Sequence, residues 1–183
     1  MFNRPLPYLL IQTKLNKYTT SESYSKERIY RFYSHNRKSC IKYIVSVKEY
    51  GQSCMTLDFY PKINLTPKPF SASTIQDLRY RMLTKQNSFG YIGATILKIM
   101  FDLQKLTKIY VWGFLAASLP NERTNYNNKR FHVYKEILSR FYLNSHNIFD
   151  NKHNSSIFII PNEHIEHKDL IIKNYEQIFT ETN

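Results

Sequence analysis

Glycine is scarce in this chain, with four in 183 residues, and cysteine scarcer still, with two. Cys40 and Cys54 cannot make a disulfide framework. If the chain turns near Gly51, Cys54 faces roughly Lys48 and Cys40 is out of its reach. The expected setting is therefore reducing: intracellular and cytoplasmic. Long apolar runs are missing too. No stretch approaches the roughly 18 residues of a membrane span. The apolar run in "MFNRPLPYLLIQTKLNKY" is too short for the core of a signal peptide, so a soluble protein is expected. There is no Walker phosphate loop and no Ser-His-Asp or Cys-His pattern that would mark a nucleophile.

Acidic residues are the minority, 14 Asp and Glu against 26 Lys and Arg, for a net charge of +12. Residues 1–60 hold ten basic side chains against four acidic, and residues 61–120 eight against two, while residues 121–183 balance at eight each. The whole excess lies in the first two thirds. Such a field attracts phosphate-rich partners: nucleic acid, anionic lipid or a nucleotide cofactor. Aromatic residues are plentiful, with 15 Tyr and 12 Phe. The length suits a single domain, 1–183, with a real core.

Hydrophobic periodicity divides the chain in two. The first half alternates like strands. "RIYRFYSH" alternates weakly. "CIKYIVSVKEY" sets Ile41, Tyr43, Val45 and Val47 on one face, and after a turn at Gly51 "SCMTLDFYP" returns with Met55, Leu57 and Phe59. Pro61, Pro67 and Pro69 stop that strand and open an irregular segment, and "DLRYRMLT" alternates once more. The period then lengthens. Ile92, Ile96, Ile99, Leu103 and Leu106 form a helix face. "KIYVWGFLA" reads as a strand buried on both sides. Phe131, Tyr134, Leu138 and Phe141 form a second helix face, "SSIFIIPN" another short buried strand, and "KDLIIKNYEQIF" a last helix. This order predicts an α/β (α+β) fold, a mixed, mainly antiparallel sheet with helices on both faces.

Half of the glycines, Gly90 and Gly93, stand in "TKQNSFGYIGATILKIMFDL", where a polar loop meets the first helix. A helix start carries unpaired N–H groups and the positive end of the helix dipole. An anion finds donors aimed at it there, and glycine lets it come close to the backbone. Asn87 or Ser88 would be the cap and Lys85 adds charge. Packing of the helix close to the sheet would call for the same glycines.

The element order, this glycine pair, and Asn127 followed seven residues later by Tyr134 in "NNKRFHVYKEIL", with the aromatic pair Phe141 and Tyr142 after it, resemble the GNAT acyltransferase superfamily. The likeness covers about residues 41–160, which leaves a strand extension at 1–40 and a helical extension at 161–183. It departs in detail: Asn87 stands where the family has Gln or Arg, Ile92 replaces its second small residue, and Arg130 fills a position that is usually small. The resemblance implies acyl transfer from acetyl-CoA or another acyl-CoA to an amine. Gln86, Asn87, Ser88, Phe89, Gly90, Tyr91, Gly93 and Ala94 would hold the pyrophosphate. The main chain of Met82, Leu83 and Thr84 would pair with the pantetheine arm and polarise the thioester carbonyl, and Asn127 would complete the cofactor site. Tyr134 would be the catalytic acid that protonates the departing thiolate. In register with Phe131 and Leu138, Tyr134 also fits a core position. Asp58 and Asp77 are both available as a base.

A rival reading explains the charge. In "KERIYRFYSHNRKSCIKY", Lys26, Arg28, Arg31, Arg37, Lys38 and Lys42 alternate with aromatics, a pattern suited to RNA or single-stranded DNA. A non-catalytic basic protein in a nucleic-acid assembly would look like this, as would an edge hairpin guarded by charge. An acidic protein acceptor would also suit the charge. His164, Glu166 and His167 lie close together in "NEHIEHKD", but no second pair accompanies them. A solvated helix start is expected there, with no metal.

Overall fold

Alternation decides the first half of the molecule. The computed structural model describes residues 4–17, 23–35, 40–51, 54–62, 89–107, 111–116, 126–142 and 144–181. Strands β1 (Tyr8–Leu15), β2 (Lys26–His35), β3 (Cys40–Tyr50) and β4 (Cys54–Lys62) form an antiparallel meander. Ile41, Tyr43, Val45 and Val47 of β3 are buried, as are Met55, Leu57 and Phe59 of β4. The turn after Gly51 sets Tyr50 opposite Cys54 and Lys48 opposite Thr56, two residues from the expected register. Cys40 lies opposite His35, and neither Cys40 nor Cys54 is in a disulfide. β4 also runs on through Pro61, which the sequence suggested as its stop. Beyond Thr56 the described ladder joins β4 to β3 alone, and a strand paired on one side tolerates a residue without an N–H.

Helix α1 (Phe89–Thr107) follows, then strand β5 (Val111–Leu115), helix α2 (Lys129–Tyr142), and a hairpin of β6 (His146–Asn151) and β7 (Ser156–Pro161). A 3₁₀ segment (Asn162–His167) leads into helix α3 (Lys168–Glu181). The fold is α+β: seven strands in the order β1-β2-β3-β4-β5-β7-β6, with three helices. Every strand pairing described is antiparallel except β4 with β5. β1 and β2, expected as an extension, are continuous with this sheet.

The core is split by the sheet. On one side Trp112, Phe114, Met55 and Val45 pack with α1 and α2; on the other Val111, Cys54, Phe158 and Ile160 pack with Tyr175, Ile178 and Phe179 of α3. Ile92, Ile96, Ile99 and Leu103 of α1 are buried, but Leu106 is 80% exposed. The buried stripe also takes in Leu97 and Met100, and that turns the helix so Leu106 falls to its edge. In α2, Phe131, Tyr134 and Leu138 are buried; Phe141 is exposed, and Tyr142 closes the face by stacking on Phe101 of α1. None of the helices described is long and apolar enough to cross a membrane.

Candidate functional site

The parallel seam between β4 and β5 is short. Cys54, Met55 and Thr56 pair with Val111, Trp112 and Gly113, and there the ladder ends. Tyr175 of α3 reaches into this seam. Its hydroxyl accepts the Met55 N–H at 3.0 Å and lies 2.9 Å from both the Met55 and the Val111 carbonyl oxygens, to which it can donate. Gly113 makes the approach possible, because a methyl there would meet the Tyr175 ring at 2.5 Å from Cδ1.

Past Thr56 and Gly113 the strands are no longer laddered, and on the α1–α2 side an apolar cleft forms. Phe59 of β4, Phe114 of β5, Gly93, Ile96 and Leu97 of α1, and Tyr134 and Ile137 of α2 line it. It is narrow, with room of about 20 Å³, on the order of one water. The Tyr134 ring sits 5.6 Å from Phe59 and 6.3 Å from Phe114, centroid to centroid. Burial pushes the Tyr134 phenol up to about 12; the Asp58 carboxylate adds to this and the Arg130 guanidinium opposes it. The phenol is therefore protonated at neutral pH.

Both glycines of the singled-out stretch are in the first turns of α1, buried, and neither has a positive φ. Gly93 lines the cleft, so its value is space. Phe89, Tyr91 and Ala94 share these turns; Tyr91 is exposed and Ala94 buried. Met82, Leu83, Thr84, Gln86, Asn87 and Ser88, with the strand expected over "DLRYRMLT", lie outside the described residues. The strands beside β5 are Cys54–Lys62, parallel to it, and Ser156–Pro161, antiparallel.

Asn127 is not the helix cap. It stands outside α2 with φ of 47°, donates its N–H to the Lys152 carbonyl oxygen at 2.8 Å, and keeps its Oδ1 buried without a partner. Asn128 is the cap: its Oδ1 accepts the Phe131 N–H at 2.9 Å, its Nδ2 donates to the Ala116 carbonyl oxygen, and its own N–H donates to Ser155 Oγ at 3.0 Å. It thereby ties the start of α2 to the end of β5 and to the β6–β7 turn.

Beyond the end that α3 covers, no described element packs on the opposite side of β2, β3 and β4, and strand register sorts that side into cross-strand rows. The rows run Tyr33, Lys42, Lys62; then Arg31, Ile44, Tyr60; then Ile29, Ser46, Asp58; then Glu27, Lys48, Thr56. Ser46, Asp58, Glu27, Lys48 and Thr56 of the last two rows, with Tyr50, Tyr60 and the α3 residues Ile178 and Phe179, line a concavity of about 390 Å³ that reaches Leu57 and Leu115 at the parting of the seam. Glu27 is anchored there. Burial raises its carboxyl, but hydrogen bonds from Ser46 and Lys14 and the charges of Lys14 and Lys48 outweigh this and hold it below the usual carboxylate range. Asp58 is exposed. Of the two carboxylates the sequence offered as a base, Asp58 lies on this face and Asp77 lies outside the described residues.

The six basic residues of the nucleic-acid reading do not form one surface. Lys26 and Arg28 lie on the helix-bearing face, and both pair with Glu49, Arg28 at 2.8 Å. Arg31 and Lys42 lie on the open face. Arg37 and Lys38 are outside the described residues. His164 is on the exposed 3₁₀ segment, 3.6 Å from the Glu163 carboxylate. Among the described residues no group of three His, Cys, Asp or Glu side chains could hold a metal ion. Compared with family models, curated proteins and solved structures, the chain finds no match.

Proposed function

We propose that the protein is a GNAT-like acyltransferase that moves an acyl group from acyl-CoA to an amine. The observation that carries this reading is the opening of the one parallel strand pair described, with a buried phenol, Tyr134, in the cleft that results. Strands that part leave main-chain groups of Leu57–Phe59 and Phe114–Leu115 free of a mutual ladder, which suits an extended, amide-bearing arm. The apolar lining suits its alkyl portions. The narrow width means the Phe59 and Tyr134 rings must part to admit it. The start of α1, with Gly90 and Gly93, would hold the pyrophosphate on its N–H groups.

Acyl-CoA supplies a thioester whose carbon–sulfur bond breaks as the amine nitrogen bonds to the carbonyl carbon. The chain's own groups handle the protons. Tyr134, held protonated by burial, donates to the departing sulfur. Asp58, on the concavity side of the same parting, takes the proton that the amine gives up. Two sides of one seam would then serve two substrates, with Leu57 of β4 and Leu115 of β5 between them.

Calorimetric titration of acetyl-CoA into the protein tests the reading. Saturable binding at one site, lost in a folded Gly93→Val protein whose new side chain fills the cleft, is the expected result. Equal affinity in that variant, or no heat of binding in the parent, would remove the reading.

A further inference from the structure

We propose that the open face of β2, β3 and β4 is a docking surface for single-stranded nucleic acid, a reading independent of the acyltransferase one. Its basic end consists of Arg31, Tyr33, Lys42, Tyr60 and Lys62. Lys42 and Lys62 are direct cross-strand partners, and Tyr33 is the partner of Lys42 on the other side. Two ammonium groups placed opposite each other on a sheet repel, an arrangement that costs stability unless an anion sits between them. Among the described residues, Arg31, Lys42 and Lys62 form no ion pair with a carboxylate. Elsewhere on this sheet Lys14 pairs with Glu27, and Lys26 and Arg28 with Glu49, while Lys48 adds its charge beside Glu27. Among the described residues, the Arg31, Lys42 and Lys62 end of this face thus carries positive charge with no paired carboxylate.

Aromatic rings occupy the same end. The Arg31 guanidinium lies 5.5 Å from the Tyr33 ring centroid, and Tyr33 is 39% exposed. Tyr60 shares the row of Arg31. Rings and guanidinium planes on a flat sheet present stacking surfaces to bases while lysines meet phosphates. An acidic polypeptide would satisfy the charges but gives the rings no role. A duplex would satisfy the charges but hides its base faces. The combination therefore favours an unpaired strand. The sequence suggested a nucleic-acid set that included Lys26 and Arg28; register excludes those two, keeps Tyr33 with Arg31 and Lys42, and adds Tyr60 and Lys62.

The test is fluorescence anisotropy of labelled oligouridylate and oligothymidylate across a range of KCl concentrations. A polyglutamate peptide and a duplex of the same length serve as comparison ligands. Parent protein should bind the single strands with affinity that falls steeply with salt. Lys42→Gln with Lys62→Gln should lower the slope of log K against log salt by about 1.4, taking roughly 0.7 per phosphate contact on a single strand. Tyr33→Ala should weaken binding roughly five-fold or more, as loss of one stacked base does. Lys26→Gln should leave both readings unchanged. The Lys42→Gln, Lys62→Gln protein should also melt no lower than the parent, because it relieves a repulsion. Three outcomes would overturn the proposal: no binding of either oligonucleotide, binding indifferent to Tyr33 and to the lysine pair, or polyglutamate or duplex bound at least as tightly as the single strands.

Discussion

Gly113 and Tyr175 are a matched pair: the missing side chain of one is the space that the ring of the other fills, 2.5 Å from where a methyl would bring its carbon to Cδ1. The ring cannot retreat cheaply. Its hydroxyl is held by the Met55 N–H and by the Met55 and Val111 carbonyl oxygens. Gly113→Ala should therefore destabilise the fold by about 1–3 kcal/mol, the usual cost of overfilling a packed site. Tyr175→Phe keeps the ring but leaves the buried Met55 N–H without its acceptor, at about 1–3 kcal/mol. Urea denaturation of both variants checks this, and a Gly113→Ala protein as stable as the parent would show that the seam can yield.

Tyr134 separates chemistry from packing. Phenylalanine there preserves the ring contacts with Phe59 and Phe114, so stability should change by less than about 1 kcal/mol. If the phenol is the acid of an acyl transfer, Tyr134→Phe should lower kcat on the order of a hundredfold with little change in KM. Unaltered turnover in a well-folded variant would return Tyr134 to the core alone.

The two asparagines before α2 should behave differently. Asn128→Ala removes the cap on Phe131 and the tie to Ala116, and should cost about 2 kcal/mol in thermal or chemical unfolding. Asn127 occupies the left-handed region, where glycine is at no disadvantage. Asn127→Gly should stay within about 1 kcal/mol of the parent. Equal losses at both positions would contradict the assignment of the cap.

Acid should loosen the N-terminal side of the sheet. Asp102 accepts hydrogen bonds from Lys98 and then from Tyr8 of β1, and these hold its carboxyl below the ordinary range. Glu27 is held low by Ser46 and Lys14 against the opposing effect of burial. A carboxyl whose folded pKa is depressed contributes stability that is complete above its unfolded value and is lost as pH falls through the folded value. Unfolding free energy should thus be flat near neutrality and decline below about pH 4.5, close to the unfolded carboxylate values. Asp102→Asn should show a shallower decline than the parent; a parallel decline in the two would exclude Asp102 as a source.

Much of the architecture can be read in the chain. The alternation in β3 and β4 and the four-three spacing of Ile92, Ile96, Ile99 and Leu103 reflect a periodicity each element imposes on its own residues, so they are visible locally. β6 is not: "HNIFDN" is half-buried throughout and carries neither alternation nor an apolar run. It is a strand because a turn containing Ser155, with φ of 55°, folds it back onto β7.

For the candidate site the division is sharper. The sequence pointed to Gly90, Gly93 and Tyr134 as residues of interest, since a glycine in a glycine-poor chain and a tyrosine at a set spacing stand out locally. It could not separate Arg31 and Lys42 from Lys26 and Arg28. That distinction depends on which strand lies beside which and in what register, and a shift of one residue moves every side chain to the other face. Nor could it show why Gly113 is a glycine, because the reason is a tyrosine 62 positions away on a helix that packs across the sheet. By itself the sequence determined the periodic elements, β3, β4 and the helices, and the excess of positive charge. Only the tertiary structure decided where the sheet parts, which cations are neutralised, and which are left facing outward.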